Sequence, residues 1–131
     1  MAEHPDCTLV RQGYAAFGEG DMETLGSMMT ADVVYHVPGS SPISGHHKGR
    51  DAVVQVLQRF GEETNGTMQV QLEAVLADGR GHVMSFQTTR ADRGDHGIEI
   101  RQGLFFTIVG GKITDIDGCT EDIDEEDRFW A

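Results

Sequence analysis

The chain has 131 residues, a common size for one domain, and its 38% hydrophobic and 24% charged residues are the balance of a globular protein, too apolar for a disordered one. A formal charge of −12 would repel a phosphate backbone, and the ten Lys and Arg are scattered, which disfavours nucleic-acid binding. Apolar runs such as Leu104 to Phe106 span a few residues, far short of the roughly 20 needed to cross a bilayer, so no membrane partner is expected.

The first residues carry Glu3, His4, Pro5 and Asp6 where an export signal would show a basic start and an apolar stretch, which points to the cytoplasm. From Leu9 to Phe17, Val10, Tyr14 and Phe17 recur at i, i+4, i+7 and predict a first helix, ended by Gly18 and Gly20. Asp21 is placed to cap a second, short helix with Leu25, Met28 and Met29 on one face. Val33 to Val37 then reads as a strand running into Pro38-Gly39, and Ser40 to Gly49 supports neither helical nor strand period, so it reads as a long loop.

A third helix starts near Asp51, with Val53, Val54, Leu57 and Phe60 as its apolar stripe and Asn65-Gly66 as its stop. Met68, Val70 and Leu72 alternate with polar residues as in a half-buried strand, and Asp78-Gly79 turns the chain. His82 to Arg90 and Ile98 to Ile108 are two further strands around a polar hairpin, Asp92 to Gly97, and Gly110-Gly111 leads into a last strand from Lys112. In that strand Ile113 and Ile116 break strict alternation, which predicts a bulge or an early bend. Asp115 to Asp127 holds eight acidic residues, the pattern of a solvated surface, before Phe129 and Trp130, which should dock on the body.

One α+β domain over residues 1–131 follows, a curved antiparallel meander with three helices packed on one face. The two cysteines, Cys7 and Cys119, lie far apart without CxxC spacing and read as reduced thiols. His46 and His47 are adjacent, point apart and cannot chelate as an i, i+4 pair would, so no metal is expected.

Gly13-Tyr14-Ala15-Ala16-Phe17 leading to Gly20-Asp21, then Ala31 to Gly39, then Gly49-Arg50-Asp51-Ala52-Val53, and finally Gly111-Lys112-Ile113, fall in an order that resembles the SnoaL-like branch of the nuclear-transport-factor-2-like superfamily. The resemblance runs nearly end to end. It implies a cone whose curved sheet and three helices enclose a pocket, commonly in a homodimer and without a cofactor. Members include ketosteroid isomerases, polyketide cyclases and limonene-epoxide hydrolases beside non-enzymatic binders, so the fold alone does not name a function.

Within that frame His36 is a candidate base: alternation puts it on the same face as Val34, and in similar proteins that face looks into the pocket. Gln102 is a single amide in the apolar row of Ile98, Ile100, Leu104, Phe106 and Ile108, and a buried amide needs a partner. Tyr14 could donate to an oxyanion as a tyrosine does in the ketosteroid isomerases, although the match is offset by one residue and its usual acidic companion is missing. Compared without gaps, Gln87, Thr89 and Gly118 stand where the epoxide hydrolases need two carboxylates and an arginine. The polyketide cyclases use a carboxylate beside a histidine, a part that Asp115, Asp117 or Glu121 would have to fill.

Phe17, Val34, Phe60, Ile100, Leu104 and Ile116 are the expected walls, and since Met84, Phe86 and Thr88 alternate with Val83, Ser85 and Gln87, one set should face the pocket and the other a partner subunit. These residues point to a small-molecule pocket protein. It is either a cofactor-free isomerase, cyclase or hydrolase acting on an apolar carbonyl-bearing compound, or a non-catalytic dimer that binds a ligand or another protein.

Overall fold

The structure, a computed structural model, describes residues 2–131. Pro5 opens α1 (Pro5–Gly18) at a position where its missing N–H costs nothing, and the His4 ring accepts from the Asp6 N–H at 3.1 Å. The helix thus starts four residues before the apolar period begins. Asp21 caps α2 (Met22–Ser27) by accepting from the Thr24 N–H at 3.0 Å, as its position predicts. That helix stops before Met28, and Met29 opens β1 (Met29–Val37) instead of completing a helical face.

The stretch that lacks a sequence period is not all loop. Gly45–Lys48 forms β2, a short edge strand paired antiparallel with β1. Its Gly-His-His-Lys composition is poor in strand-forming residues, and the pairing with β1 holds it extended. Then come α3 (Arg50–Glu63), β3 (Gln69–Ala77), β4 (His82–Arg93), β5 (His96–Val109) and β6 (Lys112–Thr120). The hairpin between β4 and β5 is tighter than its polar composition suggests, with Arg93 facing His96 across Gly94 at φ 57° and Asp95.

The six strands form one curved sheet in the order β2-β1-β6-β5-β4-β3. All neighbours are antiparallel except β1 and β6, which run parallel, so the sheet is mixed where the meander predicted pure antiparallel pairing. The crossover of α3 and the β3–β5 meander returns the chain to the middle of the sheet, and this sets the parallel pair. The bulge expected near Ile113 is present: the β5 partner register jumps from Ile108 with Ile113 to Thr107 with Asp115, leaving Thr114 extra.

The acidic tail folds into a fourth helix, α4 (Ile123–Trp130). Asp122 caps it by accepting from the Glu125 N–H at 3.0 Å, and Asp124, Glu125 and Glu126 lie in the first turn, where the helix dipole favours negative charge. Arg93 fixes the far end, donating to the carbonyl oxygens of Phe129 and Ala131 while its guanidinium lies 5.7 Å from the Trp130 ring centre. Among the described residues no helix is long and apolar enough to cross a membrane.

Candidate functional site

The concave face of the sheet, roofed by α1, α3 and α4, surrounds a cavity of about 140 Å³. Tyr14, Phe17 and Phe60 line it from the helices, and Gln87, Ile100, Gln102, Leu104 and Ile116 line it from the sheet, as the sequence predicts. Tyr35 and Phe60 meet edge to face at 6.5 Å, and Phe60 in turn lies 5.4 Å from Trp130. These contacts tie the α3 wall to the last helix.

Val34 and His36 are the exceptions. In β1 the buried residues are Met29, Val33, Tyr35 and Val37, and Met29, Tyr35 and Val37 line the cavity. The even-numbered set therefore looks outward. Because side chains alternate, the one-residue choice of face moves the whole set, and Val33 and Tyr35 supply the buried row that sequence reading assigned to Val34 and His36. His36 stacks on His46 on the convex side, ring centres 4.5 Å apart, in register with Asp117 of β6.

The expected carboxylates also lie elsewhere. Asp115 and Asp117 flank the inward Ile116 and are exposed, and Glu121 is exposed and accepts from Arg101 at 2.7 Å, which holds its carboxyl below its ordinary range. The buried acid lining the cavity is Glu126, 8% exposed and carried in by α4. Burial pushes its pKa up, against hydrogen bonds from Thr120 and Gln102 that pull it down, and the nearby charges of Asp127 and Glu125 raise it further.

Glu126 ends a directed chain of hydrogen bonds across the cavity. The Tyr14 hydroxyl donates to Gln87 Oε1 at 2.5 Å, so its single proton is committed, and the Ser85 hydroxyl at 2.6 Å must donate to Tyr14. Gln87 Nε2 donates to Thr89 Oγ1 at 3.0 Å and to Gln102 Oε1 at 2.8 Å, while the Thr89 hydroxyl donates to Gln102 Oε1 at 2.6 Å. Gln102 Nε2 then donates to Glu126 Oε1. Every donor in the series points toward the carboxyl, so each amide has one orientation.

Burial of Tyr14 raises its pKa to about 12, partly offset by Ser85, so the phenol stays a donor throughout the neutral range. Four of the five buried polar residues among the described residues, Ser85, Gln87, Thr89 and Glu126, belong to this network; the fifth, Thr64, donates to the Phe60 carbonyl. Such a concentration shows that the core was not simply filled with apolar groups. At the rim, Asp127 accepts from the Ser40 N–H at 2.9 Å and from the Ser40 hydroxyl at 3.1 Å, joining α4 to the loop after β1. A Cβ at Gly39, φ 98°, would sit 2.3 Å from that Asp127 carboxylate, so the joint requires glycine there.

Sequence reading singled out Tyr14, Gln87 and Gln102 but missed Ser85 and Glu126 as members of one network. Two signals were available. Gln87 and Gln102 face each other in the β4–β5 register, and Glu126, Phe129 and Trp130 have the i, i+3, i+4 spacing of a helix face behind the Asp122 cap. For a metal the donors do not fit: His47 Nε2 is 2.7 Å from the Ile43 carbonyl oxygen, and among the described residues no group of three His, Cys, Asp or Glu is suitably placed. Cys7 is buried, Cys119 exposed, and both are free thiols.

A curved mixed sheet with helices over its concave face and an internal cavity is the nuclear-transport-factor-2-like, or cystatin-like, α+β fold. Within it the chain belongs to the SnoaL-like domain family, whose model matches residues 10–116. It is 34% identical over 131 residues to the protein Rv0034 of Mycobacterium tuberculosis (strain H37Rv), covering 100% of both chains. It is also similar to Bal32a, from a soil-derived mobile gene cassette, with 35% identity, 97% of each chain covered and a TM-score of 0.94. A cystatin-like protein from Xanthomonas campestris matches at 27% identity and a TM-score of 0.89, over 96% of this chain and 98% of that one.

Proposed function

We propose that the protein takes an apolar, carbonyl-bearing small molecule into the cavity in the cytoplasm and moves a proton on it without a cofactor, as an isomerase, cyclase or hydrolase would. The observation that carries this is Glu126, a buried carboxyl held by Gln102 in a cavity with largely aromatic and aliphatic walls. Burial strengthens it as a base, and the base can take a proton from the carbon beside the carbonyl and return it at another position. The Gln102 amide is placed beside it to orient the carbonyl, and Tyr14 and Gln87 hold that amide. The convex face, with Met84, Phe86 and Phe105 exposed, is the surface proposed for a second copy.

A non-catalytic binding protein is the competing reading, favoured by one observation: no buried side-chain polar atom among the described residues lacks a hydrogen-bond partner. A network so fully paired serves structure as well as chemistry. Native mass spectrometry of the protein from its own host separates the readings, since a retained compound identifies the class. Glu126→Gln should stop conversion of the compound even at saturating concentration, with a loss of about 100-fold or more in rate. Conversion at the wild-type rate in that variant would leave only the binding role, and an empty wild-type cavity that takes up no apolar probe would end both.

A further inference from the structure

The cavity is charged in one sense only. Glu126 and Asp127 line it, and among the described residues no Lys, Arg or His does. The groups that face Glu126 include Gln102 of β5, Thr120 of β6, the Tyr35 phenol of β1, and Asp127 and Glu125 of its own helix, so its neighbours supply amide, hydroxyl and further negative charge. Arg128, two residues along α4, is exposed and does not line the cavity, and two other cations near α4 are occupied elsewhere. Arg101 pairs with Glu121 on the outside, and Arg93 is held by Glu63 and the carbonyls that end α4.

The walls have a matching character. Tyr14, Tyr35, Phe60, Phe106, Phe129 and Trp130 all present rings to the cavity. An aromatic face attracts a cation through its quadrupole, and a buried carboxyl without a counter-ion is stabilised by whatever brings one in. Asp127, by contrast, is already bonded by Ser40 at the rim. Glu126 is therefore the acid left for a ligand.

We infer that the compound bound in this cavity carries a protonated amine, which seats against Glu126 and is enclosed by the aromatic walls. The inference rests on the cavity being a small-molecule site, and not on the site being catalytic. A carboxylate or phosphate in the same place would meet two acids and no cation, so anionic compounds of equal size are excluded.

The single tryptophan, Trp130, lines the cavity and reports on occupancy through its fluorescence. The cavity volume of about 140 Å³ is close to the ~150 Å³ of an apolar cavity able to hold one benzene ring. Single-ring probes are therefore the right size: 2-phenylethylamine, 2-phenylethanol and phenylacetate, titrated near neutral pH. The amine should bind about tenfold more tightly than the alcohol, the acid more weakly than the alcohol, and Glu126→Gln should bring the amine down to the level of the alcohol.

Equal affinity of amine and alcohol, or tighter binding of the acid, overturns the inference while leaving a small-molecule site in place. Amine preference that survives in Glu126→Gln overturns it as well, since the selectivity would then come from another group. No response to any of the three removes the site itself and the inference with it.

Discussion

The two faces of the β4–β5 hairpin are both rich in apolar residues, and only one is covered. Inward, Val83, Ile98, Ile100, Phe106 and Ile108 are buried under helices; outward, Met84, Phe86 and Phe105 are 44%, 43% and 38% exposed on the same two strands. The convex side has a graded row across the sheet. His46, His36, Asp117, Phe105, Met84 and Leu76 follow one another in register from β2 to β3. The concave side instead gathers its polar groups into one directed chain ending at Glu126. A strand pair can thus build a cavity wall on one side and leave an apolar surface uncovered on the other, because each face answers to different neighbours.

The largest expected effect tests that difference in coverage. Ile100 is 1% exposed, so Ile100→Ala should cost about 2–5 kcal/mol of stability, read from urea unfolding. Phe105→Ala removes a larger side chain from the other face and should cost the isolated subunit about 0.5 kcal/mol or less. Sedimentation of Phe105→Ala should show weakened self-association, whereas Ile100→Ala, if folded, should associate as wild type does. Equal unfolding costs for the two variants would contradict the assignment of covered and uncovered faces.

Alternation made most of this fold legible. The β4 and β5 periods, the capping Asp21, the α3 stripe and the odd spacing of Ile113 and Ile116 all depend on local side-chain order, and local order survives into the structure. What failed was the choice between faces in β1, where Val33, Tyr35 and Val37 compete with Val34 and His36 on nearly equal terms. Nothing local decides that competition; it is settled by where β6 and the helices pack. Glu126 was hidden for a related reason. Eight acids in thirteen residues look like a solvated run, and the helix within them becomes visible only when the cap and the Phe129–Trp130 face are weighed together.

An intermediate effect concerns that buried acid. In the unfolded chain Glu126 titrates near the ordinary glutamate value of about 4.3, and in the folded chain burial moves it upward. Below the unfolded value the carboxyl is neutral in both states and its contribution to stability is complete; as pH rises through the folded value, charging the buried group costs stability. Glu126→Gln removes the charge and keeps an acceptor for Gln102. Its Tm should exceed the wild-type Tm by about 2–5 °C near pH 7, with the gap closing near pH 4. A gap that widens toward acid would mean that the native state favours the carboxylate.

The smallest effect is expected at His36, and its smallness is informative. An imidazole is the side chain best suited to proton transfer near neutral pH, so composition alone makes it the leading base. Position decides otherwise, since the ring lies against His46 on the convex side, separated from the cavity by the thickness of the sheet. A side chain so placed can influence a ligand only through the backbone of β1, and the neighbouring Tyr35 is anchored independently by its edge-to-face contact with Phe60. His36→Ala should therefore change the affinity for any cavity ligand by less than about twofold, as substitutions outside a binding site commonly do. A tenfold loss in a folded His36→Ala protein, measured by Trp130 fluorescence, would show that the convex face and the cavity are energetically coupled.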